Sequence, residues 1–280
     1  MSVFSFLVFA LLGFGLVFLG FRVLERGLLI SPKRGLRVLM YHRIFGDADT
    51  TQRDNLFVSQ STFESQLRWL LQEGYRPLRL GELLEQIEGS HPRFSDDTFL
   101  ITFDDGYRDN LLLALPVLEA LQIPAVIFLV SSFTENAEAE EDRNYLNLSE
   151  LRQLSDSGLI DFALHSHGHL NYRDLSTQDT AALESDIAAV QTYYRSHQIP
   201  FLPALAYPYG AIPRKDPAAL KCLTETLANQ GVKLGFRIGN QVNTGSIQQP
   251  YFIQRIDIKG SDSFSVFQIK MKKGRAKLFA

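Results

Sequence analysis

The chain has 280 residues, with 28 Lys and Arg against 31 Asp and Glu and a formal net charge of −3. No basic block stands out beyond five Arg and Lys residues between positions 22 and 37, so nucleic acid is not an expected partner. Cys222 is the only cysteine, which excludes an intramolecular disulfide and fits either an oxidising or a reducing compartment.

The N-terminal segment Val3 to Phe21 contains nineteen residues without a charge. About 18 such residues suffice for a membrane-spanning helix. The run exceeds the ~7 to 15 apolar residues of a signal-peptide core, no Lys or Arg precedes it, and no clear small-x-small cleavage site precedes Arg22. We therefore predict one uncleaved transmembrane helix, with residues 1–30 as membrane anchor and juxtamembrane segment and residues 31–280 as one soluble domain.

Strand and helix patterns alternate along the rest of the chain. Leu36 to Tyr41 is predicted as the first strand, and the capping-box spacing of Ser61 and Glu64 predicts a helix that ends near Gly74. Further helices are predicted over 80–88, 110–121 with a kink at Pro116, 149–157, 177–197 and 217–229, with strands over 124–130 and 233–238. Glu135 to Arg143 is predicted as an exposed acidic loop. The alternation predicts an α/β fold, a distorted (β/α) barrel of about seven mostly parallel strands.

The first polar strand end follows the apolar run Leu100 to Phe103, which predicts a buried strand. Two adjacent carboxylates, Asp104 and Asp105, and then Gly106 come directly after it. Because successive strand residues point to opposite faces, both acids reach one cleft only through the following turn. Asp-Asp-Gly is also an ordinary turn sequence, and taken alone the motif supports a turn and an active site equally.

The second polar strand end follows Leu159 to Leu164 and contains three of the six histidines, in the sequence His165-Ser166-His167-Gly168-His169. Imidazole is the commonest metal ligand among side chains. His165 and His169 converge on one ion if the loop curls, whereas His167 would face away as a bystander or a supporting group. With Asp105 they would form a site of two histidines and one carboxylate that leaves a position open for water.

The third polar strand end is the segment from Phe201 to Gly210, which finishes in Ala206-Tyr207-Pro208-Tyr209-Gly210. Proline fixes φ there, and glycine lets the backbone approach a ligand closely. In isolation this is a plain turn. Barrel enzymes keep their chemistry at the C-terminal ends of the strands, so the three strand ends together predict one active-site rim.

These segments resemble the polysaccharide deacetylases, the carbohydrate-esterase family 4 that is defined by the NodB homology domain. Thr102 to Gly106 matches the family's first motif, His165 to His169 matches the second, and Ala206 to Gly210 matches the third, with Ala206 in place of the family's Arg. The resemblance spans roughly residues 36 to 258. The segments MYHRI, VSQSTFESQLRWLLQEGY and IQRIDI are similar to the branch that acts on exopolysaccharides such as poly-N-acetylglucosamine.

The resemblance implies a hydrolase that removes N-acetyl groups from an N-acetylhexosamine polysaccharide. It implies Asp104 as the general base that takes a proton from water. In that branch the domain is circularly permuted, so the general acid is expected to be His42, which follows the first strand. Pro208, Tyr209 and Gly210 are expected at the substrate, with a backbone N–H near Tyr209 in the oxyanion site.

The substitution at Ala206 leaves Asp104 without its expected orienting arginine. The nearest replacement is Arg255, on the predicted strand Tyr251 to Ile258, because a guanidinium beside a carboxylate keeps it ionised and fixes its direction. A surface cation lying along that strand is the alternative interpretation of Arg255.

One divalent metal ion is the expected cofactor, with Asp105, His165 and His169 as its ligands. Zn²⁺ suits two histidines and one aspartate, and Co²⁺, Ni²⁺ or Fe²⁺ fit the same donors. Such an ion lowers the pKa of bound water to about 7.

Two lines of reasoning disagree about the compartment. Five basic residues follow the predicted membrane helix and none precedes it, which favours a cytoplasmic domain. The resemblance implies a periplasmic or otherwise extracytoplasmic domain that meets its polymer outside the membrane, and this is the location we predict. Two other functions stay open: a non-catalytic glycan-binding relative, suggested by Ala206, and a metal-dependent hydrolase of another small amide.

Overall fold

The computed structural model describes residues 31–48, 54–89, 92–139 and 144–276. The segment Val3 to Phe21 lies outside these ranges, so the predicted membrane anchor stays a prediction. None of the helices in the described ranges is both long enough and apolar enough to cross a membrane.

Within the described ranges, eight strands form one sheet and two short strands form a separate pair, with every pairing parallel. The strands are β1 (Leu36–Tyr41), β2 (Arg43–Phe45), β3 (Phe57–Ser59), β4 (Arg76–Pro77), β5 (Thr98–Asp105), β6 (Ala125–Leu129), β7 (Ile160–Leu164), β8 (Ala204–Ala206), β9 (Leu234–Ile238) and β10 (Ile253–Asp257). β2 pairs with β3.

The order of the large sheet is β1-β10-β9-β8-β7-β6-β5-β4, and β1 also pairs with β5. That second pairing runs from Leu36 opposite Thr98 to Tyr41 opposite Phe103. It closes seven of the eight strands into a barrel and leaves β4 on the edge of β5. The predicted parallel barrel of about seven strands is therefore confirmed.

Side chains along each barrel strand alternate between two apolar clusters. Val38, Leu100 and Ala206 belong to one cluster, which fills the barrel interior. Leu39 and Ile101 belong to the other cluster, which also contains the buried faces of the surrounding helices. Because side chains alternate along a strand, residues two positions apart continue on the same face. The inward face of β5 therefore leads from Leu100 to its C-terminal rim.

The helices surround the barrel, and the buried leucines of the second helix, Leu80, Leu83 and Leu84, belong to the interior cluster. They are α1 (Gln60–Gln72), α2 (Leu80–Glu88), α3 (Leu115–Leu121), α4 (Ser131–Ala139), α5 (Leu148–Asp156), α6 (Thr180–Ser196), α7 (Pro217–Asn229) and α8 (Phe264–Lys273). α6 buries a stripe that includes Leu183, Ile187 and Val190, which is the i, i+4, i+7 spacing of a helix that lies on a core. α2 to α7 lie between consecutive strands of the large parallel sheet, as in a (β/α) barrel, whereas α8 follows the last strand, β10.

The beginning of α1 differs from its prediction. The helix starts at Gln60, and its N-cap is Ser59, whose hydroxyl accepts from the backbone N–H of Thr62 at 3.2 Å. Ser61 is not the cap because its hydroxyl donates to Asp47 at 2.6 Å. A serine two positions earlier satisfies the helix N-terminus instead.

The acidic segment from Glu135 onward was wrongly predicted as a loop, because residues 135–139 belong to α4. Thr134 and Ala137 are buried while Glu135 and Glu138 are exposed. The segment is thus an amphipathic helix whose glutamates lie on the solvent-exposed face. Composition alone does not reveal this pattern, because it ignores the spacing of the buried residues. Residues 140–143 lie outside the described ranges.

The helix predicted over 110–121 contains an irregularity just before Pro116, and the kink itself stays a prediction. Pro116 lies in the first turn of α3, but Ala114 and Leu115 before it are already helical, so this proline lies where two helical segments join. The preceding residues, Asn110–Ala114, form a π-helix. π-helical turns inside helices often occur at functional sites.

Candidate active site

The three polar strand ends meet at the C-terminal rim of the barrel. They surround a cavity of about 280 Å³ whose polar lining comes from His42, Asp104, Asp105, His165, His169 and Asp257. Tyr209 and Gly210 also line this cavity, whereas Pro208 is buried. Residues of β1, β5, β9 and β10 and of the segments after β7 and β8 thus converge on one small space, as expected for a barrel site.

Asp105, His165 and His169 form a cluster of possible metal ligands. One ligand atom from each lies within 4.8 Å of the others. The Oδ1 atom of Asp105 is 3.5 Å from Nε2 of His165 and 3.4 Å from Nε2 of His169. The three predicted metal ligands therefore come together, although they derive from β5 and from the loop after β7.

The chemistry of these atoms fits a divalent cation. Asp105 Oδ1 is buried and has no hydrogen-bond partner among the described residues, which is costly unless another group satisfies it. Nδ1 of His165 lies 2.8 Å from the carbonyl oxygen of Ala206. A carbonyl only accepts, so Nδ1 carries the proton and Nε2 presents its lone pair to the cluster. A carboxylate oxygen and two imidazole nitrogens are a common donor set for Zn²⁺.

The electrostatics of the cluster also favour a positive charge. Burial lowers the pKa of His165, but the charge of Asp104 and the contact with Asp105 outweigh burial and raise it above the usual value. Burial likewise acts to raise the pKa of Asp105, and the imidazole of His165 more than offsets this and lowers it. The two carboxylates thus create a negative potential at the point where the imidazole nitrogens converge.

The histidine-bearing loop is held by Asp186 on α6. One carboxylate oxygen accepts from the hydroxyl of Ser166 and from the backbone N–H groups of His167 and Gly168, each at 3.0 Å. The other accepts from Tyr172 Oη at 3.2 Å. This residue was missed from the sequence. The available signal was an aspartate three positions after Leu183, on the buried stripe of α6.

His167 faces away from the cluster, as its place in the loop suggested. Its Nδ1 lies 2.8 Å from the hydroxyl of Ser131 at the start of α4. The backbone carbonyl of His167 also accepts from the N–H of Ser132 at 3.2 Å. Both contacts attach the loop to α4, which leaves this imidazole outside the cluster.

Asp104 lies on the inward face of β5 and meets Arg255 from β10. Nη1 and Nη2 of Arg255 donate to the two carboxylate oxygens at 2.6 and 2.8 Å, a bidentate pair. Arg255 is fully buried, so the alternative of a surface cation is wrong. Burial raises the pKa of Asp104, but the charge of Arg255 outweighs burial and holds that pKa well below its usual range.

His42 lies between β1 and β2, across the cavity from the carboxylates. Its Nε2 is 4.0 Å from Oδ2 of Asp104. Nε2 of His165 is 3.8 Å from the same oxygen. Asp104 therefore lies between the cluster of possible metal ligands and the imidazole of His42.

Several residues around the cavity adopt positive φ values. Asp105, Ser166, His169 and Tyr209 have φ values of 71°, 71°, 55° and 57°, a region that residues other than glycine rarely occupy. Such backbone strain concentrates at functional sites, where the surrounding structure enforces it. At Asp105 the left-handed conformation turns the carboxylate from the β5 strand toward the two histidines.

Comparisons with known proteins support this description. The sequence model of the family described as polysaccharide deacetylase matches residues 91–228. The chain is 27% identical over 242 residues to the poly-β-1,6-N-acetyl-D-glucosamine N-deacetylase of Staphylococcus aureus, covering 81% of this chain and 79% of the relative.

Two solved structures share the fold. IcaB from Ammonifex degensii superposes with a TM-score of 0.68 at 24% identity, over 85% of this chain and 97% of that chain. The Streptococcus pyogenes deacetylase PplD, solved with acetate, superposes with a TM-score of 0.67 at 21% identity, over 87% of this chain and all of that chain. At this level of identity the likeness concerns the fold.

A closed barrel of seven parallel strands with an aspartate pair and two histidines at its rim defines the NodB fold class. Residues 91–228 match the polysaccharide deacetylase family model, and the relatives of the chain include a polysaccharide N-deacetylase. Within the family it is similar to proteins of the exopolysaccharide branch, such as the poly-β-1,6-N-acetylglucosamine deacetylases. The resemblance inferred from the motifs is confirmed.

Proposed function

We propose that the protein is a metal-dependent hydrolase that removes N-acetyl groups from an N-acetylglucosamine-containing exopolysaccharide. The observation that carries the proposal is the arrangement at the rim. The cluster of Asp105, His165 and His169 lies next to Asp104, which Arg255 holds by two hydrogen bonds, and His42 lies on the far side of Asp104. These groups provide for ion binding, proton removal and proton donation within one cavity.

Asp105, His165 and His169 would hold one divalent ion, most simply Zn²⁺, with Co²⁺, Ni²⁺ and Fe²⁺ as alternatives. When bound, such an ion supplies Lewis-acid chemistry by polarising the acetamide carbonyl and acidifying a water molecule to a pKa of about 7. Asp186 fixes the loop that carries both histidines, which preserves the direction of their nitrogens.

Asp104 is the proposed general base. Arg255 keeps its carboxylate ionised at neutral pH and fixes both oxygens, so an acceptor is always available for the proton of the attacking water. The orientation of the Asp104 carboxylate is therefore set by a residue of β10. Arg255 on β10 takes the place of the arginine that the family motif has at position 206 on β8, with β9 between the two strands.

His42 is the proposed general acid. As the C–N bond of the tetrahedral species breaks, the nitrogen gains a proton from His42 and leaves as an amine, and the acetyl group leaves as acetate. Pro208, Tyr209 and Gly210 form the turn beside the substrate, where a backbone N–H near Tyr209 stabilises the oxyanion. The net reaction consumes one water for each acetyl group.

The non-catalytic alternative is based on Ala206 and on the identity of the general acid. The bidentate contact of Arg255 with Asp104 answers the first point, and the general acid stays a proposal. A hydrolase of another small amide uses the same groups and differs only in substrate, so the assay must offer glycans of more than one linkage.

The test is acetate release from β-1,4-linked and β-1,6-linked N-acetylglucosamine oligomers by protein loaded with Zn²⁺. We expect release from β-1,6-linked oligomers, in keeping with the named relative, and none by the Asp104→Asn variant. Release from a small acetamide but from neither glycan would support the alternative substrate class. No release from any amide by protein that binds glycan would support the binding module.

We also propose that residues 1–30 anchor the catalytic domain, residues 31–280, on the outer side of the cytoplasmic membrane. The uncharged run from Val3 to Phe21 supports the anchor, and a polymer that is found outside the cell supports the orientation. Protease treatment of intact spheroplasts checks both points. Degradation of the domain supports the proposal, and protection until lysis contradicts it.

A further inference from the structure

Among the residues that the structure describes, none makes a hydrogen bond to the ring of His42. In the ranges that the structure describes, the charged group nearest to this ring is Asp104, whose Oδ2 lies 4.0 Å from Nε2. That separation exceeds a hydrogen bond. The direction of the ring therefore depends on how the backbone of residues 42–44 is held.

Two residues that follow the aspartate motif hold that backbone. Nδ2 of Asn110 donates to the carbonyl oxygen of His42 at 2.9 Å. The carboxylate of Asp109 accepts from the backbone N–H of Ile44 at 3.0 Å and from Nε of Arg43 at 2.8 Å. We call Asp109 and Asn110 the brace. Both are at least nine-tenths buried, with 9% and 2% of their surfaces exposed.

The amide orientation of Asn110 follows from its neighbours. Nδ2 also donates to Oδ1 of Asp109 at 3.2 Å, and a carbonyl and a carboxylate both require a donor at this position. Oδ1 of Asn110 is consequently buried, and no residue in the described part of the chain donates to it. An unsatisfied buried acceptor costs about 1–3 kcal/mol, so stability alone does not account for an asparagine here.

The position of the brace in the chain links the two sides of the proposed reaction. Asp109 and Asn110 follow Asp104 and Asp105 by a few residues, and Asn110 begins the π-helix Asn110–Ala114. β1 and β5 already pair up to Tyr41 opposite Phe103. The brace continues this connection beyond the last paired residues, where the proposed acid and base leave their strands.

We propose that Asp109 and Asn110 are positioning residues for the proton donor, and that they set the direction of His42 by clamping the turn that carries it. The inference rests on the proposed function, because it takes His42 as the general acid. General acid catalysis contributes ~10²- to 10⁴-fold, and a displacement of about 1 Å costs ~10²-fold. Loss of the clamp therefore reduces protonation of the leaving group and leaves the other steps intact.

The experiment compares two substrates that differ in their need for an acid. An N-acetylglucosamine oligomer releases an amine, which must be protonated, whereas 4-nitrophenyl acetate releases a stable phenolate without protonation. In Asn110→Ala we expect kcat for the oligomer to fall ~10- to 100-fold with KM and Zn²⁺ content unchanged. Hydrolysis of the aryl acetate stays within ~2-fold of the wild type.

Asn243→Ala is the matched control. Asn243 is also a buried asparagine whose Nδ2 donates to backbone carbonyls, to Gln254 at 2.8 Å and to Leu36 at 3.2 Å. Leu36 begins β1, so this control loosens the same strand at its other end. We expect the control to lose thermal stability without discriminating between the substrates.

Two further variants keep the test decisive if Asn110→Ala folds poorly. Asp109→Asn preserves the shape of the side chain and weakens its contacts to Arg43 and Ile44, and we expect the same selective loss on the oligomer. His42→Ala gives the reference pattern, and adding Asn110→Ala to it produces no further loss, because both changes remove one function.

The outcomes separate the two proposals. No acetate from the oligomer with wild-type protein overturns the proposed function. With active wild type, equal loss on both substrates, an unchanged oligomer rate, or full additivity in the double variant overturns the positioning role. A His42→Ala variant that shows no discrimination overturns both the acid assignment and the brace.

Discussion

Asp104 and Asp105 are adjacent in the chain, but their carboxylates face different groups. Asp104 lies on the inward face of β5 and accepts two hydrogen bonds from Arg255. Asp105 has a φ of 71° and turns toward His165 and His169. The carboxylate of Asp104 is held by the guanidinium of Arg255 within the barrel, while that of Asp105 has a buried oxygen that accepts no hydrogen bond from the residues described. The two residues therefore have separable effects on substitution.

Asp105→Ala is expected to abolish stoichiometric metal binding. The variant removes the buried oxygen that lies 3.5 and 3.4 Å from the two histidine nitrogens, and two imidazoles alone bind a divalent ion weakly. Metal analysis after dialysis provides the measurement. His167→Ala is the matched control, since His167 contacts Ser131 instead of the cluster. Equal metal content in Asp105→Ala and wild type contradicts the assignment.

Arg255→Met is expected to reduce both stability and turnover. Removing one partner of a buried pair costs about 3–5 kcal/mol, and a carboxylate that loses its orientation costs ~10²-fold in kcat. Arg37→Met is the control, because Arg37 is also fully buried and donates to the backbone carbonyls of Met271 and Gly35. We expect that control to lose stability and keep kcat.

The effect of Arg255→Met on stability depends on pH with a defined sign. The pair holds the folded-state pKa of Asp104 below the unfolded value of about 3.9. Its stabilisation is therefore present above pH ~4 and is lost as the pH falls through the folded pKa. Urea unfolding from neutral to acidic pH measures this. A difference between variant and wild type that grows in acid contradicts the assignment.

At the scale of elements, α6 and the loop after β7 act together. Asp186→Ala removes an acceptor from three donors of this loop and from Tyr172. Outer partners of metal ligands typically contribute 10- to 100-fold in affinity, so we expect the Zn²⁺ dissociation constant to rise by roughly that factor. Competition with a chromophoric chelator measures it.

Asp179→Ala is the control for the Asp186 variant. Asp179 is partly exposed at the N-terminal end of the same helix, where its carboxylate accepts from the backbone N–H and the hydroxyl of Ser176. We expect its substitution to leave Zn²⁺ affinity unchanged. Equal weakening in both variants means that α6 acts through general stability and that Asp186 has no specific role in holding the loop.

Local patterns were sufficient to predict the elements that carry the site. The apolar runs before Asp104 and His165 predict strands that are buried on both faces. The polar residues that follow each run directly predict where the strand reaches the rim of the barrel. The contact of Arg255 with Asp104 was predicted only as one of two alternatives. Whether the arginine points inward depends on the register between β10 and β1, which the closed barrel determines.

The residues that sequence reasoning missed act over long separations. Asp186 lies 20 residues from Ser166, and Asn110 lies 68 residues from His42. Each meets its partner only after helices have packed on the barrel, so no local pattern identifies it. The error at α4 has a local cause. The spacing of the buried residues Thr134 and Ala137 is helical, but the prediction of a loop followed the acidic composition of the segment instead.

At the scale of the whole molecule, barrel closure joins parts of the chain that are far apart. Arg255 on β10 and Asp104 on β5 are 151 residues apart and lie on either side of β1, which pairs with both strands. The proposed metal ligands add a second connection, from the end of β5 to the loop after β7 across β6. An ion held by this cluster would connect β5 with the loop after β7, two elements that are otherwise joined through β6.

We therefore expect metal removal to lower the melting temperature of the protein. A ligand that binds only the folded state at 100 times its dissociation constant stabilises by about 2.7 kcal/mol, which corresponds to roughly 5 to 10 °C for a domain of this size. Differential scanning fluorimetry with excess Zn²⁺, and then with a chelator, measures the difference. Asp105→Ala should melt at the same temperature in both conditions, because it lacks the carboxylate that completes the cluster. If the variant responds to Zn²⁺ as the wild type does, the stabilising ion binds elsewhere and the connection between β5 and the loop after β7 does not depend on it.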